Sequence, residues 1–279
     1  MKHSKIVTKF HSNLPILVTI LLLSTKWTIA QEVEDELPFD YVEGSKKGPS
    51  HWGELKKEWK ACKIGKMQSP IDISSDRLRL APELGRLKIN YKAQNATLKN
   101  RGHDIEVKWL GNAGTIVIDG IDFFLHQAHW HSPAEHTING SKYDVELHMV
   151  HESAMINGKT QIAVVGVLYK FGPPDRLLEK LSKHIKSMVN TEAEKLMGVI
   201  NPTEFLRRGN KYYKYIGSLT VPPCTEGVIW IINKKIGHVC KGQVALLRDA
   251  VHDHATLNAR PLQLHNGRFI DFYDPKKKT

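Results

Sequence analysis

The strongest constraint on the fold is a series of short strand-like runs that are separated by two-residue turn signals. Between residues 87 and 169 the turn pairs are Gly111-Asn112, Asp119-Gly120, Asn139-Gly140 and Asn157-Gly158. Asn-Gly pairs favour tight hairpin turns, so the last two predict antiparallel strands on either side. Strands are predicted at residues 87–91, 97–100, 104–109, 115–118, 123–131, 143–153, 161–169 and 228–232. This pattern indicates a mainly β protein.

The rest of the chain offers few helices and no internal repeat. Helices are predicted at residues 52–60, 177–189 and 243–251, the second from apolar residues at helical spacing. The composition, with 41% hydrophobic and 25% charged residues, 20 Gly and 13 Pro, excludes a disordered, collagenous or coiled-coil protein. Residues 31–279 are long enough for a single all-β domain with one sizeable core.

The first thirty residues have the pattern of a secretory signal peptide rather than of the folded domain. Lys2, Lys5 and Lys9 precede an apolar run at residues 14–23, and Ala30 offers a small residue for cleavage. The alternative is a membrane anchor, but a run of about ten residues falls short of the ~20 that span a bilayer. No other stretch is apolar enough to span, so the sequence predicts a protein of the secretory pathway without a membrane span.

The net charge supports no particular anionic partner. The whole chain carries a formal charge of +11, and a basic balance can indicate nucleic acid or an anionic membrane. Residues 1–30 hold four lysines and no acid, so their removal lowers the charge to +7. The remaining chain contains no nucleic-acid-binding motif, and secretion also disfavours nucleic acid as a partner.

Entry into an oxidising route makes the cysteines and the sequons informative. The three cysteines, Cys62, Cys224 and Cys240, indicate one disulfide and one remaining thiol, and spacing alone does not select the pair. Asn95 and Asn139 each begin an Asn-x-Ser/Thr sequon and are candidate glycosylation sites.

The histidines point to a metal. Of the 15 in the chain, seven fall between residues 103 and 151. On a strand, Gln127, His129 and His131 share one face, and Glu146 and His148 share one face of the 143–153 strand. If the two strands are antiparallel neighbours, three imidazoles converge and leave a fourth position open, as in catalytic zinc sites. Gln127 and Glu146 are then candidates to orient the ligands. The alternative is a set of half-buried histidines that donate to backbone carbonyls.

Several blocks of sequence resemble the α-class carbonic anhydrases and cover nearly the whole chain after residue 31. The most specific are residues 127–137, QAHWHSPAEHT, and residues 146–151, ELHMVH. The compact loop at residues 132–134 is similar to that of the plant and bacterial branch. Further matching blocks are GPSHW at 48–52, QSPIDI at 68–73, NRGH at 100–103, GSLTVPPC at 217–224 and NARPLQ at 258–263.

The resemblance implies a fold and a reaction. The expected fold is a large, mixed but mostly antiparallel twisted sheet of about ten strands with short peripheral helices. The expected reaction is the zinc-dependent, reversible hydration of carbon dioxide to bicarbonate and a proton, through attack of zinc hydroxide on CO2. By resemblance His129, His131 and His148 are the zinc ligands.

The resemblance also assigns catalytic roles. Thr220 is the gate residue that orients the attacking hydroxide, and it donates to Glu135. His103 is the proton shuttle, since an imidazole can take up and release protons near neutral pH. Tyr41 belongs to the water network of the site. His126, His136 and His151 are expected to be structural and to stay off the metal, although they neighbour the ligands.

The substrate wall and the disulfide follow from the same resemblance. The residues expected to contact CO2 are Val150, Val164, Leu219, Thr220, Val221 and Trp230. Cys62 and Cys224 match the bridged pair of secreted members, which leaves Cys240 unpaired. Val221 departs from the polar residue of many animal members, and Phe39 stands where tryptophan is frequent.

A second function remains open on the same scaffold, because the resembling family includes members that lost zinc and act as storage or binding proteins. The expected partners of the enzyme are CO2 and bicarbonate, and the expected assembly is a monomer or a homodimer. The expected location is extracellular, in the apoplast, or in the chloroplast stroma by way of the secretory route.

Overall fold

The computed structural model describes residues 38–155, 158–189, 194–207, 209–251 and 257–277. The proposed signal peptide, residues 1–30, lies outside these ranges. The strands are β1 (Asp72–Ile73), β2 (Leu78–Leu80), β3 (Lys88–Tyr91), β4 (Gln94–Asn100), β5 (Ile105–Trp109), β6 (Gly114–Ile118), β7 (Ile121–His131), β8 (Thr137–Ile138), β9 (Val145–Ser153), β10 (Ile162–Phe171), β11 (Glu194–Ile200), β12 (Tyr212–Ser218), β13 (Glu226–Val239) and β14 (Ile270–Tyr273). The helices are α1 (Trp52–Leu55), α2 (Ala61–Ile64), α3 (Arg176–Lys186) and α4 (Lys241–Asp249), with short 3-10 turns at Lys57–Trp59, Ser75–Arg77, Pro82–Leu84 and Pro202–Glu204.

One large sheet dominates the described chain. Its strands run in the order β11-β4-β5-β7-β9-β10-β13-β12-β14-β2, and β6 pairs with both β3 and β7 beside this path. Most neighbours are antiparallel, whereas β10–β13 and β14–β2 are parallel. A separate pair, β1 and β8, is also parallel. The expected large mixed sheet with peripheral helices is therefore confirmed, with 12 strands in the main sheet of the described residues.

Some predicted boundaries differ from the structure. The predicted helix at residues 52–60 is divided into α1 and a 3-10 turn, because the extended backbone of Lys56 interrupts it. The strands β7 and β9 are antiparallel neighbours, but the Asn139-Gly140 turn does not join them directly. Instead it forms a tight turn whose flanking residues, Ile138 and Ser141, pair as an isolated antiparallel β-bridge, and both turn residues have positive φ. Of the predicted Asn157-Gly158 turn, Asn157 lies outside the described residues.

Three apolar clusters hold these elements together. The largest fills the space between one face of the sheet and the helices α3 and α4. The second lies on the opposite face and includes Trp230 and Leu219. The third joins the aromatic residues of the N-terminal segment to the cysteine pair. None of the helices in the described part of the chain has both the length and the apolarity needed to cross a bilayer.

Candidate active site

A β-bulge in β7 directs the candidate ligands away from the main core. Leu125 is buried in that core, and unbroken alternation would send residue 127 to the same side. The pairing of β7 with β9 shifts register between Leu125 and Gln127, which leaves His126 as the extra, exposed residue. After the bulge, Ala128 and Trp130 take the core positions. Gln127 and the odd-numbered residues that follow therefore face the other side of the sheet.

Three histidines meet on that other side. His129 and His148 are directly opposite each other across β7 and β9, and His131 follows two residues after His129. All three are almost completely buried. One ring nitrogen of each lies within 4.8 Å of those of the other two, so the three could hold a metal ion.

The hydrogen-bond partners of His129 and His131 determine which ring nitrogen of each imidazole carries the proton. The Nδ1 of His131 lies 2.7 Å from the backbone carbonyl of Asn258, which can only accept, so this nitrogen donates. The Nδ1 of His129 lies 2.8 Å from Gln127 Oε1, and it also donates. Both Nε2 atoms then carry lone pairs, and they are 3.1 Å apart. Two lone pairs at this distance repel unless a cation lies between them.

Glu146 orients the third ligand. Its Oε1 lies 3.0 Å from His148 Nε2, which favours the proton on that nitrogen and leaves Nδ1 as the acceptor. The same oxygen accepts from His136 Nδ1 at 2.7 Å, and Oε2 accepts from the backbone N–H groups of Glu135 and His136. Gly166 faces His148 across β9 and β10, and a Cβ there would lie 3.0 Å from Glu146 Oε1.

The donor set fits a zinc ion. Three neutral imidazoles supply three lone pairs. Both ring nitrogens of His148 are buried without a well-aligned hydrogen bond among the described residues, but Nε2 lies 3.0 Å from Glu146 Oε1, so Nδ1 is the nitrogen left for a metal. Bonds of about 2.0–2.1 Å in a tetrahedral site place ligand nitrogens about 3.3 Å apart, close to the separation of the two Nε2 atoms. A second group, His136, Glu146 and His148, is also compact. There the carboxylate is already hydrogen-bonded to His136, so the three-histidine group is the better metal site.

Glu135 and Thr220 lie beside the triad. Glu135 Oε1 accepts from the backbone N–H of Arg260 at 2.8 Å, and Oε2 lies 3.8 Å from His131 Nε2. Burial raises the pKa of Glu135 to about 7, against the opposing effects of His131 and of a hydrogen bond from Thr220. The structure therefore brings the predicted gate residue and its carboxylate partner together next to the histidines.

His103 is buried rather than open to solvent. It is 2% exposed, and its ring centroid is 5.2 Å from that of Phe39 and 6.3 Å from that of Tyr41. Burial lowers the pKa of His103 to about 4, although Asp104, whose carboxylate is 3.5 Å away, raises it. Tyr41 packs in the N-terminal aromatic cluster with Phe39 and Trp52. The shuttle and water-network roles stay predictions.

The predicted apolar wall divides into two groups. Val150, Val164, Leu219 and Trp230 are buried in one cluster, and the ring centroid of Trp230 is 4.8 Å from that of His148. Val221 packs instead with the aromatic residues and cysteines of the third cluster. The first four side chains thus form an apolar surface beside the triad, whereas Val221 belongs to the packing of the N-terminal segment.

The disulfide between Cys62 and Cys224 is present, with Cα atoms 5.0 Å apart, which confirms the predicted pair. It connects α2 to the loop that follows β12, four residues after Thr220. Cys240, at the N-terminus of α4, is the free cysteine, as predicted.

Several residues of the site were not predicted individually from the sequence. Asn258 accepts from His131 through its backbone carbonyl, and its side chain donates to the carbonyl of His103. His136 Nε2 lies 2.6 Å from the hydroxyl of Tyr215, which is 2.8 Å from Ser69 Oγ. The matching blocks at 68–73 and 258–263 contain Ser69 and Asn258, and they were the available signal. The hydrogen bond from His131 to the backbone carbonyl of Asn258 has no sequence signal, because any residue at that position offers a carbonyl.

Comparison with known proteins identifies the family. The family model described as eukaryotic-type carbonic anhydrase matches residues 47–273. The chain belongs to this family. Carbonic anhydrase Nec1 of Nesocodon mauritianus is 50% identical over 275 residues, with 98% of this chain and 99% of that protein covered. Alpha carbonic anhydrase 7 of Arabidopsis thaliana is 47% identical over 276 residues, with 99% of each covered.

One solved structure with the same fold is that of a protein named dioscorin rather than carbonic anhydrase. The crystal structure of dioscorin complexed with ascorbate has a TM-score of 0.81 and 41% sequence identity, covering 86% of this chain and 99% of that one. The predicted family and fold are confirmed, and the family and the named carbonic anhydrases confirm the prediction of an enzyme of this class.

Proposed function

We propose that the protein catalyses the reversible hydration of carbon dioxide with a zinc ion held by His129, His131 and His148. The observation that carries this proposal is the convergence of three buried imidazole nitrogens whose partners leave them as lone-pair donors. A zinc ion bound there supplies a Lewis acid that brings the pKa of a coordinated water to about 7, a value already established for carbonic anhydrases as a class.

The neighbouring residues position the reactants. In this proposal the Thr220 hydroxyl, whose hydrogen bond lowers the pKa of Glu135, donates its proton to that carboxylate and leaves its oxygen lone pairs to accept a hydrogen bond from the reacting water. This contact orients the water toward the apolar surface formed by Val150, Leu219 and Trp230. Carbon dioxide is apolar and has no strong hydrogen-bonding group, so such a surface suits it.

His103 is the proposed acceptor of the released proton. In the described conformation its ring packs against that of Phe39, and burial lowers its pKa to about 4. Shuttling therefore requires the ring to turn toward solvent. We expect His103→Ala to slow turnover in dilute buffer and small imidazole buffers to restore it, while the exposed His126→Ala serves as the control. No effect of His103→Ala would remove the shuttle role.

The decisive experiment combines a CO2 hydration assay with metal analysis. We expect one zinc per chain, loss of activity with a chelator, and recovery when zinc is added back. His148→Asn, which removes one ligand, should lose both zinc and activity, whereas Glu152→Gln on the same strand should keep both. Purified protein that is folded, zinc-free after zinc addition and inactive would contradict the proposal.

Dioscorin among the relatives keeps a second candidate function, that of a storage or binding protein on the same scaffold. The complete histidine triad beside Glu135 and Thr220 favours the enzyme, because a binding protein has no need for three convergent lone pairs. The hydration assay separates the two functions.

We further propose that residues 1–30 are a signal peptide and that residues 31–279 form the carbonic anhydrase domain. The basic start, the short apolar run and Ala30 support this division. The proposed destination is the extracellular space or apoplast, or the chloroplast stroma reached through the secretory route. Sequencing the N-terminus of the protein purified from its source tests the division, and a first residue far from position 31 would contradict it.

A further inference from the structure

One edge of the main sheet exposes large apolar side chains. Among the strands of the described residues, β11 is the terminal strand of the main sheet and pairs with β4 on one side. Within it, Leu196 is 69% and Val199 is 67% exposed, and Leu110 nearby is 55% exposed. An exposed apolar strand at a sheet edge invites pairing with another chain, and proteins in general protect such edges.

The strand register places Asn95 within this apolar edge. Val199 is the Cα partner of Asn95, and Leu196 is the partner of Thr97. Directly paired residues point to the same face and have Cβ atoms about 5 Å apart. The backbone N–H of Leu110 also donates to the carbonyl of Asn95 at 2.9 Å. The side chain of Asn95 is exposed and forms no hydrogen bond with the residues that the structure describes.

We propose that Asn95 carries an N-linked glycan whose inner sugars cover Leu196 and Val199 and keep the β11 edge from pairing with a second chain. This rests on the proposed entry into the secretory pathway. Asn95 and Thr97 form the sequon, so the asparagine that would accept the glycan lies beside the exposed apolar side chains of β11. A sugar ring can pack its C–H face on apolar side chains while its hydroxyls remain in water.

The modification is a transfer from a lipid-diphosphate-linked oligosaccharide. The Nδ2 of Asn95 forms a bond to C1 of the first sugar, and the bond from C1 to the diphosphate oxygen breaks. The lipid diphosphate leaves with the electron pair, and the amide nitrogen loses one proton. The product is a neutral glycosyl amide on the exposed face of β4.

The second sequon provides a matched comparison. Asn139 lies in the turn that follows β8, which pairs with β1 and not with the main sheet. Its Oδ1 accepts from the backbone N–H of Ser75 at 2.7 Å. A glycan at Asn139 would therefore lie away from the β11 edge, and its loss should not expose Leu196 or Val199.

The test begins with secretion from a eukaryotic host behind a heterologous cleavable signal, so that the outcome does not depend on residues 1–30. Intact mass before and after enzymatic glycan removal should show a glycan that both Asn95→Gln and Thr97→Val lack. Thr97→Val removes the sequon and keeps Asn95, and the Thr97 hydroxyl is buried with no hydrogen-bond partner among the described residues. An unmodified Asn95 in the secreted protein would overturn the proposal.

A second measurement tests the role of the glycan. In sedimentation velocity, the wild type and Asn139→Gln should show the same state, whereas Asn95→Gln and Thr97→Val should self-associate at lower concentration. Adding Leu196→Lys and Val199→Lys to Asn95→Gln should reverse the association, because charges oppose edge pairing. Unchanged association after loss of the glycan would overturn the covering role. Carbon dioxide hydration should be equal in all these variants, so failure of the proposed activity is seen separately.

Discussion

The replacement Glu146→Gln should weaken zinc binding through a change of tautomer at His148. In the structure Oε2 of Glu146 accepts two backbone N–H groups, so the amide oxygen of glutamine will keep that position. The amide nitrogen then faces His136 and His148 in place of Oε1. His136 can respond by accepting at Nδ1 and donating from Nε2 to Tyr215, which lies 2.6 Å away. His148 must also accept at Nε2, and its proton moves to Nδ1, the nitrogen needed by the metal.

The expected loss of zinc affinity follows from the loss of the hydrogen bond that orients His148. Losing a partner that orients a metal-bound histidine costs about 10–100-fold in metal affinity. At about 1.4 kcal/mol for each tenfold change, this corresponds to about 1.4–2.8 kcal/mol. We expect the upper end, because the substitution reverses the tautomer and does not merely remove a hydrogen bond.

The assay is a competition titration of zinc against a chromophoric chelator at fixed pH, with urea unfolding of the metal-free protein measured alongside. Glu152→Gln makes the same chemical change on the same strand, where the carboxylate contacts only the exposed His126 among the ion pairs of the described residues, and it should retain wild-type affinity. A Glu146→Gln protein that remains folded and binds zinc within about twofold of the wild type would refute the tautomer argument.

Three further predictions concern stability. Replacing Cys62 and Cys224 with serine removes the disulfide, which joins residues 162 positions apart. The free energy of unfolding should fall by about 5 kcal/mol in the chain-entropy account, and this should be seen as a lower urea midpoint. Burial lowers the pKa of His151 to about 3. The unfolded chain, in which a histidine has a pKa of about 6.5, therefore takes up this proton first. The free energy of unfolding is unaffected by His151 above about pH 6.5 and falls as the pH is lowered toward 3, by about 2 kcal/mol at pH 5. The urea stability of His151→Gln should depend less on pH over this range, and an unchanged dependence would count against the assignment. Asn258→Ala removes three hydrogen bonds with backbone groups and should destabilise by about 1–3 kcal/mol in the same assay, with a smaller loss arguing that water replaces them.

The histidine triad could be predicted from sequence because strand alternation is a local property. His129 and His131 are two residues apart, and His148 is on a strand whose own alternation places it with Glu146. Which side of the sheet they face could not be predicted, because that depends on the bulge at His126. The bulge appears only in the pairing of β7 with β9, and nothing in the local sequence marks His126 as the extra residue.

Most of the strands that could not be predicted from the sequence are short or lie at an edge of the sheet. The strand β2 has three residues and β14 has four, so no periodicity can develop. The strand β11 contains Glu194, Lys195 and Gly198, which are poor strand formers, and a register shift breaks its alternation before Gly198. Edge strands face solvent, so the burial that produces a readable pattern is incomplete there. The strand β12 is an exception, because it is paired on both sides, and its three tyrosines, Tyr212, Tyr213 and Tyr215, are typical of a strand.

The charges around the triad explain why this part of the sheet suits a divalent cation better than an apolar ligand. The carboxylates of Glu135 and Glu146 are both fully buried, and a buried charge must be compensated. Glu146 accepts three N–H hydrogen bonds and also has His148 Nε2 3.0 Å from its Oε1. Among the described residues Glu135 accepts the backbone N–H of Arg260, and burial raises its pKa to about 7. The three imidazoles are neutral donors of lone pairs and add no positive charge. The three imidazoles would hold a zinc ion, and its positive charge would favour the ionised form of Glu135, whose Oε2 lies 3.8 Å from His131 Nε2 and 3.9 Å from His148 Nε2.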